Sequence, residues 1–523
     1  MKITFLGQAG LFVETRAGSI LCDPWFNPAY FASWFPFPSN EGIDRAAIGH
    51  PDFLYISHLH HDHFDPEFLK DHVDKSATVL LPDFPVDRLE RELRSLGFSS
   101  FVKTRNGETV ETNGLRFTIV ALTAPSDGPI GDSSLIVDDG ETRLLDQNDA
   151  HPLDVDALQA MRPFHAHFLQ FSGAIWYPMV YRLPQKAKDA LAKKKRENQQ
   201  ARALRYAEAV GAPHVFPSAG PPCFLDDDLL YLNDVDNVPT NIFCDQTVFL
   251  RYLRDHGNER GHLVVPGSVI ELQGRQCSLA HPLPDAEIEA IFADKRGYLE
   301  AYHARQRPRI QAIKETWPRG QVEILPALKD WFEPLLRMAD LTCAGVNSRV
   351  LLDCSGEQIA IDFVHRQVYR WNDEECRYRF WIDRALVEAC IVAHEEDWVN
   401  SIFLSCRFEA ERVGAYNEYV YNFFKCLTPE RLQYAEGYYA ERSPVHELWQ
   451  CGAYMVQRRC PHLKADLTRF AEVQNGILTC TMHGWQFEIA TGRCLTSDDR
   501  RLYTTPAPER PSVAAESEKA PVG

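Results

Sequence analysis

Missing from this sequence is any apolar run of the roughly 20 residues that a bilayer-spanning helix needs. The start, Met1-Lys2-Ile3-Thr4-Phe5-Leu6-Gly7, lacks the long apolar core and small-residue end of a secretory signal, and is expected to be a first strand. Basic residues are also in short supply. Lys and Arg number 55 against 73 Asp and Glu, a net charge of -18, which argues against nucleic acid or an anionic membrane as partner. The 14 cysteines form no secreted-type disulfide framework, so a reducing, cytoplasmic compartment is expected. Isolated thiols such as Cys22, Cys244 and Cys390 read as small buried apolar residues.

What is present is enough apolar material, 45% of 523 residues, for several cores. Residues 1–265 read as a first unit. Short strands are expected at 2–6, 11–14, 19–22, 78–81, 117–121, 134–137 and 143–145, with turns such as Asn113-Gly114 and Asp139-Gly140 between some of them. A long helix over 186–210 carries Lys193-Lys194-Lys195-Arg196. Such a run is ordinarily a solvated face, with a docking patch for an acidic partner or anionic substrate as the alternative. Residues 266–440 read as an α+β unit, with an alternating strand Gln358-Ile359-Ala360-Ile361-Asp362-Phe363 and helices over 285–305, 384–394 and 416–424. The cluster His394-Glu395-Glu396-Asp397 in it reads as a solvated helix end before a metal site. Residues 441–506 form a small β unit. The stretch 507–523, rich in Pro, Ala, Ser and Glu, is expected to be a disordered tail.

Two clusters carry chemistry. The apolar run Phe53-Leu54-Tyr55-Ile56 leads into His58-x-His60-x-Asp62-His63, a set of metal-ligating residues at the end of a buried strand. Asp65 then caps a helix that has Pro66 at its first position. Near the other end stand Cys460-Pro461-His462 and Cys480-Thr481-Met482-His483. Two Cys/His pairs on two loops suit a [2Fe–2S] cluster with two thiolates on one iron and two imidazoles on the other; a Cys2His2 zinc site is the alternative. Gly484-Trp485-Gln486-Phe487 after the second pair and the Asn475-Gly476 turn favour the cluster.

The C-terminal unit resembles the Rieske family, which implies Cys460, His462, Cys480 and His483 as cluster ligands. No further cysteine pair lies in the two loops, so the resemblance is to the oxygenase and ferredoxin types rather than the disulfide-bridged respiratory ones. The N-terminal motif resembles the metallo-β-lactamase superfamily. That resemblance implies His58 and His60 on one metal, Asp62 and His63 on a second, and Asp149 bridging both, with Asp146 as competitor for the bridge and His61 pointing away. The departures matter. The segment 124–133, where hydrolases of the family carry a further histidine, offers only Asp127 and Asp132, and Asp132 joins the expected metal set. The expected last histidine is replaced by Phe216-Pro217-Ser218-Ala219-Gly220; His214 precedes it. His165 and His167 alternate on a strand and read as ordinary partly buried histidines, with a reach into the pocket as the alternative. A carboxylate-rich site favours iron or manganese over zinc.

The expected architecture is multidomain α+β: an N-terminal metallo-β-lactamase-like αββα sandwich, a middle α+β domain whose late part faintly resembles a sterol-carrier-protein-like fold, and a C-terminal all-β Rieske domain. A one-electron carrier beside a metal site suits O₂ activation, because O₂ reduction at iron consumes electrons delivered singly. The combination resembles metallo-β-lactamase-fold di-iron hydroxylases and, more extensively, the CMP-N-acetylneuraminate hydroxylase family, although there the Rieske unit sits at the opposite terminus. The second resemblance extends into Phe171-Ser172-Gly173-Ala174, Pro217-Ser218-Ala219-Gly220-Pro221 and residues 397–408. It implies an oxidoreductase of the monooxygenase type with a [2Fe–2S] cluster and one or two further metal ions, iron favoured. Its partners would be O₂, a ferredoxin, cytochrome or flavin reductase as electron donor, and a small-molecule substrate such as a sugar nucleotide or amino-sugar-like compound. The alternatives are a metal-dependent hydrolase with a regulatory Rieske domain, and an electron-transfer protein.

Overall fold

The computed structural model describes residues 1–440, 447–462, 465–482, 484–497 and 500–507. The tail expected over 507–523 lies, but for Ala507, outside the described residues.

Strands near the N-terminus are apolar on both faces because each is covered twice. In Gly10–Thr15, Leu11 and Val13 face one way and Phe12 the other. The first side meets a second sheet and the other meets helices. An eight-stranded sheet contains, from one edge, Gln276–Ala280, Val269–Gln273, Lys2–Gly7, Gly10–Thr15, Gly18–Cys22, Phe53–Tyr55, Thr78–Pro82 and Phe101–Thr104. A six-stranded sheet runs His214–Ser218, Ala166–Gln170, Arg143–Asn148, Asp132–Asp138, Leu115–Leu122 and Thr109–Thr112. Ile3, Phe5, Leu11, Val13, Ile20 and Tyr55 of one pack on Phe117, Ile119, Leu135, Val137, Leu144 and Phe168 of the other. Helices Pro66–His72 and Arg88–Ser95 cover the outer face of the first sheet. The long helix Gln185–Val210 and helix Gln246–Asp255 cover that of the second. The result is the expected αββα sandwich.

The cap expected at Asp65 forms, and a glycine closes the long helix. Asp65 accepts from the Phe68 amide with Pro66 in the first turn, and Gly211 ends the long helix in the left-handed region at φ 70°. The first unit nevertheless runs past 265. Val269–Gln273 pairs antiparallel with Lys2–Gly7, Ile3 opposite Ile270, so the outermost strands of the first sheet come from beyond the expected boundary. The helix expected over 285–305 is two, Asp285–Ala293 and Lys295–Glu315. Asp294 breaks the run and accepts from the Gly297 amide, capping the second helix. Leu299, Tyr302 and Ile310 of that helix pack on Phe35, Phe37 and Leu225 of the first unit.

The middle unit is a five-stranded sheet, Gln367–Arg370, Glu357–Asp362, Arg349–Cys354, Tyr378–Ile382 and Phe408–Arg412, with helices including Ile324–Met338, Arg384–Val392, Glu418–Lys425 and Pro429–Ala440. The C-terminal unit has two three-stranded sheets: Leu448–Cys451, Tyr454–Gln457 and Thr504–Pro506 in one; Ala471–Gln474, Ile477–Cys480 and Trp485–Glu488 in the other. Asn475 and Gly476, both at positive φ, make the two-residue turn between Gln474 and Ile477.

Candidate metal centres

Strands Arg143–Asn148, Ala166–Gln170 and His214–Ser218 run parallel. At the end of the first of these, Asn148 takes φ 44° and its Oδ1 accepts from the amides of Asp149 (2.6 Å) and Ala150 (3.1 Å). This turn presents Asp149. From the facing sheet, strand Phe53–Tyr55 delivers Ser57 and His58, and a tight turn follows in which the amides of His63 and Phe64 donate to the His60 carbonyl.

One ligand atom each from His58, His60 and Asp149 lie within 4.8 Å of one another. His58 Nε2 is 2.6 Å from His60 Nδ1 and 3.8 Å from Asp149 Oδ2. The other Asp149 oxygen, Oδ1, is 3.7 Å from His63 Nε2, which is itself 3.7 Å from Asp62 Oδ2. Asp149 thus offers one oxygen to each side.

Every imidazole is held from behind through its other nitrogen. His58 Nδ1 meets Ser57 Oγ (2.9 Å) and Asp132 Oδ1 (3.2 Å). His63 Nδ1 meets Asp23 Oδ2 at 2.8 Å, and Asp23 also accepts from the amide and hydroxyl of Ser57. His60 Nε2 meets Asn400 Oδ1 of the middle unit at 2.8 Å. The Asn400 amide orientation follows from its own partners: Nδ2 donates to the Gly128 carbonyl (3.0 Å) and to Asp397 Oδ2 (2.8 Å), so Oδ1 accepts from His60. Protons on these outer nitrogens leave lone pairs on His58 Nε2, His60 Nδ1 and His63 Nε2, all turned toward Asp149. Two acceptor nitrogens 2.6 Å apart repel unless a proton or cation lies between them. His63 Nε2 and Asp149 Oδ1 are moreover buried with no hydrogen-bond partner. This donor set fits a cation, and carboxylate-backed imidazoles are the usual support of one.

Titration behaviour agrees. Burial alone would lower the His63 imidazole, but Asp149, Asp23 and Asp62 raise it well above its ordinary value. Burial and the neighbouring His58 push His60 well below. Burial lifts Asp149 to about 6 against the pull of His63 and His58. Asp62 is oriented by Gln8 Nε2 (2.9 Å) and the Tyr30 hydroxyl (2.7 Å).

The C-terminal unit places the buried Cys460 and Cys480 in one core with Met482, Trp485 and Phe487. His462 stacks on Trp485 with ring centroids 4.1 Å apart, and its Nε2 lies 3.5 Å from Glu418 Oε2 of the middle unit. His483, expected as the fourth cluster ligand, lies outside the described residues. The unit is seated on the segment that leaves Asp149: Arg458 and Arg469 pair with Asp156 at 2.9 and 2.6 Å, and Arg459 donates to the Leu153 carbonyl. The long helix holds the 480–482 loop, with Arg202 donating to the Met482 carbonyl (2.5 Å) and Arg205 to Thr481 Oγ1. Two buried cysteines, an imidazole and a cation beside Cys480 fit an iron–sulfur cluster that takes up one negative charge on reduction.

Comparison with known proteins supplies the family. A model of the Rv3818-like, SCP2-like domain matches residues 324–441, and a model of the Rieske [2Fe-2S] domain matches 448–506. Over 514 residues the chain is 50% identical to the Rieske 2Fe-2S iron-sulfur protein Rv3818 of Mycobacterium tuberculosis (strain ATCC 25618 / H37Rv), covering 97% of this chain and 100% of that one. The chain belongs to the Rv3818-like Rieske iron–sulfur protein family. A Mycolicibacterium smegmatis relative is 49% identical over 515 residues, 96% of this chain and 99% of its own. Among solved structures, Igni18, a metallo hydrolase from Ignicoccus hospitalis, covers 52% of this chain and 99% of its own at 16% identity and TM-score 0.35. CmlA, a diiron beta-hydroxylase from Streptomyces venezuelae, covers 52% and 54% at 18% identity and TM-score 0.35. In this Rieske protein the N-terminal half is an αββα sandwich and the middle domain is SCP2-like.

Some residues singled out in the sequence stand elsewhere. Asp132, expected among the metal ligands, lies behind His58 on the Nδ1 side and so orients the ring. Asp146 is buried between the sheets near Asp23, Cys22 and Tyr55, so the oxygens facing His58 and His63 are those of Asp149. Asp127 accepts from the Ala124 amide in its own turn. His167 bonds Gln147, His165 accepts from the Arg143 amide, and His214 bonds His262. His61 stacks on Tyr30. In the basic run Lys193 is exposed beside Glu197, and Arg196 donates to the carbonyls of Pro239 and Asn241. Asn400 fell within the 397–408 stretch without a site role, and Tyr30 and Gln8 carried no local signal in the sequence.

Proposed function

We propose that this Rieske protein is an oxygenase in which electrons enter through the C-terminal domain and O₂ is reduced at the His58–Asp149 centre. The observation that carries the reading is the shared support of the two centres: the segment leaving Asp149 is the one on which the Rieske domain is seated, through Leu153 and Asp156. When bound, a [2Fe–2S] cluster on Cys460, His462, Cys480 and His483 would supply single electrons, and iron on His58, His60, Asp62, His63 and Asp149 would supply O₂ chemistry. The overall balance for hydroxylation is R–H + O₂ + 2 e⁻ + 2 H⁺ → R–OH + H₂O, with a ferredoxin, cytochrome or flavin reductase as donor.

The chain's own groups prepare that chemistry. Asp132, Asn400 and Asp23 hold protons on the outer nitrogens of His58, His60 and His63 and keep the inner ones free. Asp149 spans both sides. Tyr30 donates to Asp62 and fixes its carboxylate; burial and Asp62 raise the phenol well above its ordinary range, so it keeps its proton. No histidine joins His58, His60 and His63 from segments 124–133 or 216–220, so Asp62 and Asp149 complete the donor set, and their carboxylates favour iron over zinc more than an all-histidine set would.

The test is metal content after anaerobic purification, followed by O₂ uptake with a chemical reductant. About three to four irons per chain, with reductant-dependent uptake, supports the proposal. Cluster iron only, with zinc in the remaining site, sinks it. A His58→Ala variant should lose the non-cluster metal and keep the visible spectrum of the cluster.

A further inference from the structure

The long helix Gln185–Val210 belongs to the N-terminal domain, yet it sends two arginines into the Rieske domain. They differ in how their charge is met. Arg205 pairs with Glu472 at 2.6 Å. Arg202 is only 8% exposed and donates to the Met482 carbonyl, and no carboxylate among the described residues pairs with it. Tyr206, its neighbour one turn on, donates its hydroxyl to the Pro152 carbonyl and is neutral. Burial pushes the guanidinium down to about 10, which still leaves it protonated at neutral pH, and Cys480 is among the groups that pull it back up.

A buried, unpaired cation is costly unless an anion stands nearby. Met482 lies between Cys480 and His483, so the guanidinium sits against the second cluster loop. Two ferric ions, two sulfides, two thiolates and two neutral imidazoles sum to zero charge. One electron from a ferredoxin- or flavin-class donor converts one ferric ion to ferrous; no bond forms or breaks, and the total becomes minus one. A fixed positive charge in a low-dielectric setting therefore favours the reduced form.

We propose that Arg202 is a positioning residue of the N-terminal domain that holds a positive charge beside the Cys480 loop and thereby raises the reduction potential of the Rieske cluster. The potential is then set partly across the domain interface, so that undocking the Rieske domain would make it a stronger reductant. The inference rests on the Rieske family assignment and not on the oxygenase reading.

The experiment is a redox titration of the full-length protein carrying Arg202→Gln or Arg202→Lys, followed by the EPR signal of the reduced cluster. Arg202→Gln should shift the midpoint to more negative values, while Arg202→Lys stays near wild type. Loss of the cluster in Arg202→Gln with retention in Arg202→Lys supports the same role for the charge. A wild-type midpoint in Arg202→Gln overturns the proposal. So do equal shifts in both variants, or loss of the cluster in both, since packing rather than charge would then be the function of Arg202.

Discussion

Replacing Asn400 with alanine isolates what the SCP2-like domain contributes to the metal centre. Among the described residues Asn400 makes no hydrogen bond to Asp149 or His58; its Oδ1 accepts from His60 Nε2, and its Nδ2 is tied to Gly128 and Asp397. Asn400→Ala leaves the His60 ring without its outer acceptor and free to turn or to move its proton to Nδ1, the metal-facing nitrogen. Loss of such an outer partner typically lowers metal affinity by about 10–100-fold, or roughly 1.4–2.7 kcal/mol. The assay is competition between the apo N-terminal site of the full-length protein and a chromophoric chelator, with the visible spectrum of the cluster as an internal control. Affinity within twofold of wild type would refute the tautomer argument. A loss shared by the cluster spectrum would show a folding defect instead. Asn400→Asp is the informative companion: it keeps an acceptor for His60 but sets a second carboxylate against Asp397, so it should recover metal binding only in part.

Other outcomes follow from buried charges. Arg431 and Asp397 form a 2.6 Å pair at 2% and 9% side-chain exposure. Arg431→Met should destabilise the middle domain by about 3–5 kcal/mol in urea unfolding, because Asp397 is left buried without its counter-charge. The same variant should weaken metal binding, since Asp397 also positions Asn400. Asp127 is raised to about 7 by burial, against about 3.9 in an unfolded chain. The folded state therefore holds an extra proton between those values. The stability contributed is complete below about pH 4 and is lost as pH rises through 7, a ceiling of roughly 4 kcal/mol. Relative to Asp127→Asn, the wild type should lose urea stability between about pH 4 and 7 and level off above it; parallel pH profiles would show that Asp127 is ionised throughout.

Much of this protein is written in short stretches. The run from Phe53 to His63 states a strand and the donor-rich turn after it, because strand and turn need only neighbouring residues. Asp65 with Pro66, Asn475-Gly476 and Gly211 fix a helix start, a hairpin and a helix end by backbone chemistry that acts within a turn. The two Cys/His pairs state the C-terminal domain in the same way. The sandwich was legible only through the resemblance that the His58–His63 motif carries; the strands bear it out by being apolar on both faces and covered on both.

What only tertiary structure decided is which atom of each residue faces which neighbour. Asp132 was legible as a carboxylate near the site, but packing of the two sheets put it behind His58. The 265 boundary failed because strand pairing is set by an open sheet edge, which the chain closed with Val269–Gln273. Asn400 stands 340 residues from His60, and Arg202 stands 280 from Met482. No local pattern gives either residue its role, because each acquires it from a partner that only the folded domain interfaces bring within hydrogen-bonding distance.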